Sequence, residues 1–212
     1  MLFKHSFTVL FFLLVLILSH FSLATSMFSS ASLEDWEEES FEGNTKYSIV
    51  TIDDRQAIKA ETSRSASALF RKHKVDLNKT PYLNWSWRVD NIYDIQDALT
   101  KAGDDYPARI YVVLREGFFP WQTKALNYVW CSKKPNKPYW ENPYTSKAVM
   151  IPVQCEQDKT GHWLSERINI KEDFKRIFNL DVNEIDGVAI MSDSDNAGGA
   201  AVAYYSDIFF SE

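Results

Sequence analysis

The sequence predicts a mainly β protein, an antiparallel jelly-roll-like β-sandwich with one short helix. Three observations carry this expectation. About ten short strand-like runs recur at close intervals. Several of them alternate apolar and polar residues with period two, the mark of a strand with one face on a core. Little helix is legible between them, which favours sheet packed on sheet over alternating strands and helices.

Taken along the chain, the first element is an export signal. Met1 to Ser6 carries one firm positive charge at Lys4, Phe7–Leu18 is an apolar run, and Ser22-Leu23-Ala24 places small residues where a signal peptidase reads. The run is shorter than the ~20 residues a membrane-spanning helix needs. The expectation is a signal peptide over residues 1–24, a single domain over residues 25–212, and no membrane span after cleavage. Glu34–Glu42 then holds six acidic residues with Trp36 and Phe41 among them. A pure charge run would be a solvated tail; the two rings suggest a first strand or clasp lying across the domain.

The strand-like runs follow at Lys46–Ile52, Ala57–Glu61, Ala66–Arg71, Pro81–Val89, Arg109–Leu114, Leu126–Cys131, Ala148–Cys155, Trp163–Ile170, Gly187–Met191 and Ala201–Phe210. In the fourth, Trp85, Trp87 and Val89 face one way and Ser86, Arg88 and Asp90 the other. Pro152 has no N–H for a ladder, so its run is expected at an edge or a bulge. Asn169 with Glu172 three residues later reads as a capping box, and Phe174, Ile177 and Phe178 continue it at helical spacing. A weaker helical turn is expected over Asp94–Thr100.

Composition excludes several functions. The chain has 212 residues, 23 Lys and Arg against 29 Asp and Glu, and a net charge of −6, so it lacks the basic footprint of a nucleic-acid or anionic-membrane binder. Seven glycines, none in a Gly-rich loop, leave no phosphate cradle. Cys131 and Cys155 fall on neighbouring runs, where in an oxidising compartment either a disulfide or two buried thiols would fit.

Three constellations could carry chemistry. Asp104, Asp105, Asp193, Asp195 and Asn196 are oxygen donors at loop ends, suited to a structural calcium; the same residue types also cap turns on their own backbone. Arg88 and Asp90 share a strand face with Asp105 and Arg109 close in sequence. If the two strands pair, the two arginines would line a groove able to hold a carboxylate; otherwise the charges are a structural ion-pair network. Trp121, Tyr139, Trp140 and Tyr144 lie in Pro-stiffened loops as flat faces for sugar stacking, or else as covers for the open ends of the sandwich. Catalysis has less support. His73 and His162 have no metal-ligand spacing, no Gly-x-Ser-x-Gly elbow is present, and neither Cys has a His nearby in sequence. A glycosidase pair among the four aspartates stays open.

The stretches Trp85–Asp90, Gly103–Asp105 with Arg109–Val113, Ala125–Trp130, Asn142–Tyr144, Glu166-Arg167, Gly187–Asn196 and Ala203–Ile208 together resemble the uncharacterised bacterial domain of unknown function 3047 family. The likeness spans nearly all of the chain after the signal and brings no assigned activity. It implies a bacterial exported protein. The closing strand, Asp/Asn loop and strand are also similar to the last hairpin of jelly-roll carbohydrate-binding modules.

The functional expectation is a periplasmic or secreted module binding a glycan or small polar ligand, with Trp121, Tyr139, Trp140 and Tyr144 stacking and Arg88 and Arg109 anchoring. Two alternatives stand beside it. One is a polysaccharide hydrolase or lyase; the other is an envelope protein-interaction module, hinted at by Glu34–Glu42.

Overall fold

The structure is a computed structural model and describes residues 30–115, 123–155 and 157–212. The expected signal segment and Trp121 lie outside the described residues. Twelve strands are found among them: β1 (Glu37–Glu42), β2 (Lys46–Ile52), β3 (Arg55–Ser63), β4 (Ala66–Asp76), β5 (Tyr82–Val89), β6 (Ala108–Arg115), β7 (Thr123–Cys131), β8 (Trp140–Asn142), β9 (Thr145–Cys155), β10 (Leu164–Asn169), β11 (Glu184–Asp193) and β12 (Ala200–Ser211). One α-helix, α1 (Ile170–Phe178), joins β10 to β11.

The strands form a seven-stranded sheet in the order β1-β4-β11-β6-β7-β9-β8 and a five-stranded sheet in the order β10-β5-β12-β3-β2. Every pairing is antiparallel except β7 with β9, which run parallel. The register slips there between Val129↔Pro152 and Trp130↔Gln154, so Pro152 sits at the expected irregularity. The acidic Glu34–Glu42 segment supplies β1, an edge strand paired to β4, while Trp36 just before it is buried in the main core.

Alternation places one face of each sheet inward. Trp85, Trp87 and Val89 of β5 are all buried, as the pattern requires. Trp85 packs on Tyr128 of β7, and Trp87 on Trp130, each with ring centroids 5.6 Å apart. These four large rings link the two sheets, and truncating a buried aromatic costs ~3–5 kcal/mol. The helix is capped as its sequence suggests: Asn169 Oδ1 accepts from Glu172 N at 3.1 Å, and Phe174 is buried in the core.

One expected element is corrected. Asp94–Thr100 is not helical; a short 3₁₀ turn follows it at Lys101–Gly103. Asp97 Oδ1 accepts from Leu99 N at 3.0 Å, a local bond that competes with helix. The chain then folds back so closely that a Cβ on Gly103 would lie 2.0 Å from the Asp97 carbonyl oxygen. Ile95 and Ala98 are buried, but from an irregular segment.

Candidate ligand-binding site

The outer face of the seven-stranded sheet holds the site. On β6, Ala108, Ile110 and Val112 enter the core, so Arg109 and Tyr111 face away from it. Their register neighbours on the same face are Met191 of β11 and Asn127 of β7. With Ala66, Ala148 and Asp193 these side chains floor a cavity of about 460 Å³. Its rim is Asp104, Asn142, Tyr144, Thr145, Asp195 and Asn196, closed on the far side by Phe41 and Glu42 of β1.

Arg109 organises the floor. It is 3% exposed, and its donors are committed within the protein. Nε donates to Asp193 Oδ1 at 2.7 Å and Nη1 to Tyr111 Oη at 3.2 Å. Nη2 reaches the Asp104 carbonyl and Asp193 Oδ2, and Nη1 lies 3.7 Å from Asp104 Oδ2. Burial opposes its charge, but Tyr111, Asp104 and Tyr106 outweigh that and hold its pKa above the ordinary value. Asp193 also accepts from Tyr106 N at 3.1 Å.

The rim is tied to this centre. Asp105 Oδ1 accepts from the backbone and side-chain nitrogens of Asn196, both at 3.1 Å, and Oδ2 from Ala197 N at 2.6 Å. Asp105 therefore pins the loop after β11. Asn142 donates to Asp104 Oδ2 at 2.8 Å and accepts from Tyr144 N at 3.0 Å. Tyr144 Oη donates to Asn196 Oδ1, and Lys101 Nζ sits 4.8 Å from the Tyr144 ring centre. Burial pushes the Asp104 carboxyl up, against the lowering effect of Arg109 and Asn142. Asp195 is also raised, by burial first.

Asp105, Asp193 and Asp195 each offer a carboxylate oxygen within 4.8 Å of the others and could hold a metal ion. Arg109, however, takes both oxygens of Asp193, and the 196–197 loop takes both of Asp105. The expected donors Asp104 and Asn196 are also engaged, with Asn142 and with Tyr144 and Asp105. The guanidinium already supplies the positive charge that a cation would bring to Asp193.

The other expected site residues separate. Arg88 and Arg109 do not share a groove, because β5 and β6 belong to different sheets. Arg88 pairs with Asp53 at 2.8 Å and Asp90 at 3.2 Å, beside the Tyr204 ring. Trp140 does not join a platform: it is 5% exposed and packs with Tyr106, Val129, Cys131 and Met150. Tyr139 packs partly buried against the core with Arg176 over its ring. Of the described aromatics proposed from the loops, Tyr144 alone lines the cavity. Cys131 and Cys155 lie opposite one another on β7 and β9, joined by a disulfide with Cα atoms 4.4 Å apart. Sequence reasoning missed Tyr111 and Asn127 as cavity residues. A polar Asn between buried Leu126 and Tyr128 on a strand was the available signal.

The chain belongs to the DUF3047 family of proteins of unknown function, whose profile matches residues 34–209. No curated protein matches it. Among solved structures it is similar to a family 30 carbohydrate-binding module of a cellulosomal cellulase of Clostridium thermocellum. That match has TM-score 0.49 and 11% identity, covering 84% of this chain and 91% of that one. It is similar too to a family 11 carbohydrate-binding module from Clostridium thermocellum, in complex with a β-1,3-1,4-mixed-linked tetrasaccharide. Here the TM-score is 0.45 and identity 12%, covering 85% and 91%. A third is a cellulase derived from one of Rhodothermus marinus, TM-score 0.47, 7% identity, covering 84% and 96%. These identities are too low to carry residue roles across.

Proposed function

We propose that this member of the DUF3047 family is an exported saccharide-binding domain, with the ligand seated in the cavity on the outer face of the seven-stranded sheet. One observation carries the reading. Among the described residues the exposed large apolar side chains are Phe41, 62% exposed, and Tyr144, 55% exposed, and both line this cavity. Large apolar side chains left in water together at one concavity, rather than scattered singly, support a binding site, and two rings lining it suit a pyranose, whose faces are apolar and whose edges bear hydroxyls. At the rim the Asp195 carboxylate, which no cation pairs with among the described residues, is an acceptor for those edges. The volume lies within the ~300–1,000 Å³ usual for small-ligand pockets. Export rests on residues 1–24, with cleavage after Ala24 leaving one domain to act in the periplasm or outside the cell.

The test is a glycan array with the purified protein, followed by calorimetric titration of the best ligand with wild type, Phe41→Ala and Tyr144→Ala. Each variant is expected to weaken binding about tenfold while melting within a few degrees of wild type, because neither ring is buried. Unchanged affinity in the double variant overturns the assignment of this cavity. Running the array with calcium and then with a chelator is expected to give the same result, since Arg109 serves Asp193.

A second reading is hydrolysis of the bound glycan. Asp104 and Asp195 both line the cavity, and burial pushes both carboxyls up, the direction in which a proton donor is tuned. Release of reducing ends from a bound polysaccharide, lost in Asp104→Asn, would establish it; a stable complex without product leaves binding alone.

A further inference from the structure

Resting on the saccharide reading, we infer that the ligand is a sugar bearing a free amino group and that the same cavity rejects acidic sugars. Glu42, Asp104, Asp193 and Asp195 all line it, with Asp105 just behind. Among the described residues the cation in the lining is Arg109, and its donors already serve Asp193, Asp104 and Tyr111. Lys101 nearby lies on the Tyr144 ring. A uronate entering the cavity would meet carboxylates and find no uncommitted guanidinium, and like charges brought together at low dielectric repel strongly.

A second observation points the same way. Asp104 and Asn127 are 4% and 0% exposed, line the cavity, and each keeps one side-chain oxygen without a hydrogen-bond partner. Buried acceptors left unmatched are uncommon in folded proteins and call for a donor. At the mouth, Asp195 pairs with no cation among the described residues. An ammonium supplies three donors and a full charge to an acceptor-rich wall, whereas an acetylated amine supplies one donor and none of the charge.

The probes are trisaccharides of glucosamine, N-acetylglucosamine, glucose and galacturonic acid, titrated at about pH 6, where an amine is charged. Short ligands limit attraction to the acidic surface at large. The glucosamine trimer is expected to bind at least about tenfold more tightly than the glucose trimer, with the galacturonate trimer not binding. In Asp195→Asn the ratio should fall towards one. In Glu172→Gln, which removes the same charge from the exposed face of α1, it should stay. Equal binding of glucosamine and glucose, tighter binding of galacturonate, or the same fall in Glu172→Gln overturns the inference and leaves the saccharide reading standing. Binding of none of the four, nor of any glycan on the array, overturns that reading itself.

Discussion

Arg109→Ala tests the centre of the site. The guanidinium makes four contacts with two buried carboxylate residues: two oxygens of Asp193, the Asp104 carbonyl, and Asp104 Oδ2 at 3.7 Å. Removing it leaves Asp193, 2% exposed, with the Tyr106 amide as its remaining partner on the floor. Asp104, which already has one oxygen unmatched, would lose its nearest positive charge. Breaking a buried pair by deleting one partner costs ~3–5 kcal/mol, most of it the penalty of the stranded charge. With a urea dependence of ~1–3 kcal/mol per molar, the unfolding midpoint should fall by more than about 1 M. Because the stranded charge is the cause, Asp193→Ala on the Arg109→Ala background should cost far less than Asp193→Ala alone. Urea unfolding of the two single variants and the double variant reads this coupling. A midpoint for Arg109→Ala within about 0.3 M of wild type, or additive losses in the double variant, would refute the account of Arg109 as the group that neutralises the floor.

Further outcomes follow from the same geometry. Trp140→Ala should lose ~3–5 kcal/mol of stability, because its ring fills the satellite core under β7 and β9; a loss of binding at unchanged stability would return Trp140 to the ligand surface. Blocking with a thiol reagent should find Cys131 and Cys155 unreactive until reduction. With a sequence separation of 24, reduction should then cost about 3.5 kcal/mol by loop-closure entropy. Asp104 has its folded pKa raised above the ordinary 3.8. Between those values the folded chain keeps a proton that the unfolded chain has released, so this contribution to stability is full below 3.8 and is lost as pH rises through the folded pKa. The melting temperature of wild type relative to Asp104→Asn should therefore be most favourable at low pH and decline upward; a flat difference contradicts the buried-carboxyl assignment.

The sandwich was legible because its cause is local. Period-two alternation in Trp85–Asp90 and the apolar positions of Arg109–Leu114 state which face is buried, and the cap at Asn169 depends on residues within one turn. β8, three residues long, was not legible, and neither was the parallel pairing of β7 with β9, because sheet order is set by long-range packing that no local pattern encodes. The site was legible in its acidic part: Asp104, Asp105, Asp193, Asp195 and Asn196 do converge, since the loops before β6 and after β11 flank strands that pair. Arg88 misled because adjacency in sequence spans a crossover between sheets. Trp140 misled because a Pro-flanked ring looks the same in sequence whether it faces solvent or a satellite core. Phe41 and Tyr144 meet at one cavity although about a hundred positions separate them, a juxtaposition only the folded sheet creates.

The proposed saccharide site is the cavity lined by Phe41 and Tyr144 on the outer face of the seven-stranded sheet. The most direct measurement is a two-dimensional ¹⁵N–¹H titration of the purified protein with the best-binding oligosaccharide. Saturable shifts are expected at Glu42, Tyr144, Thr145, Asp195 and Asn196, with Arg88 on the five-stranded sheet and Asp53 in the turn between β2 and β3 unmoved. Shifts confined to the five-stranded sheet would contradict that assignment.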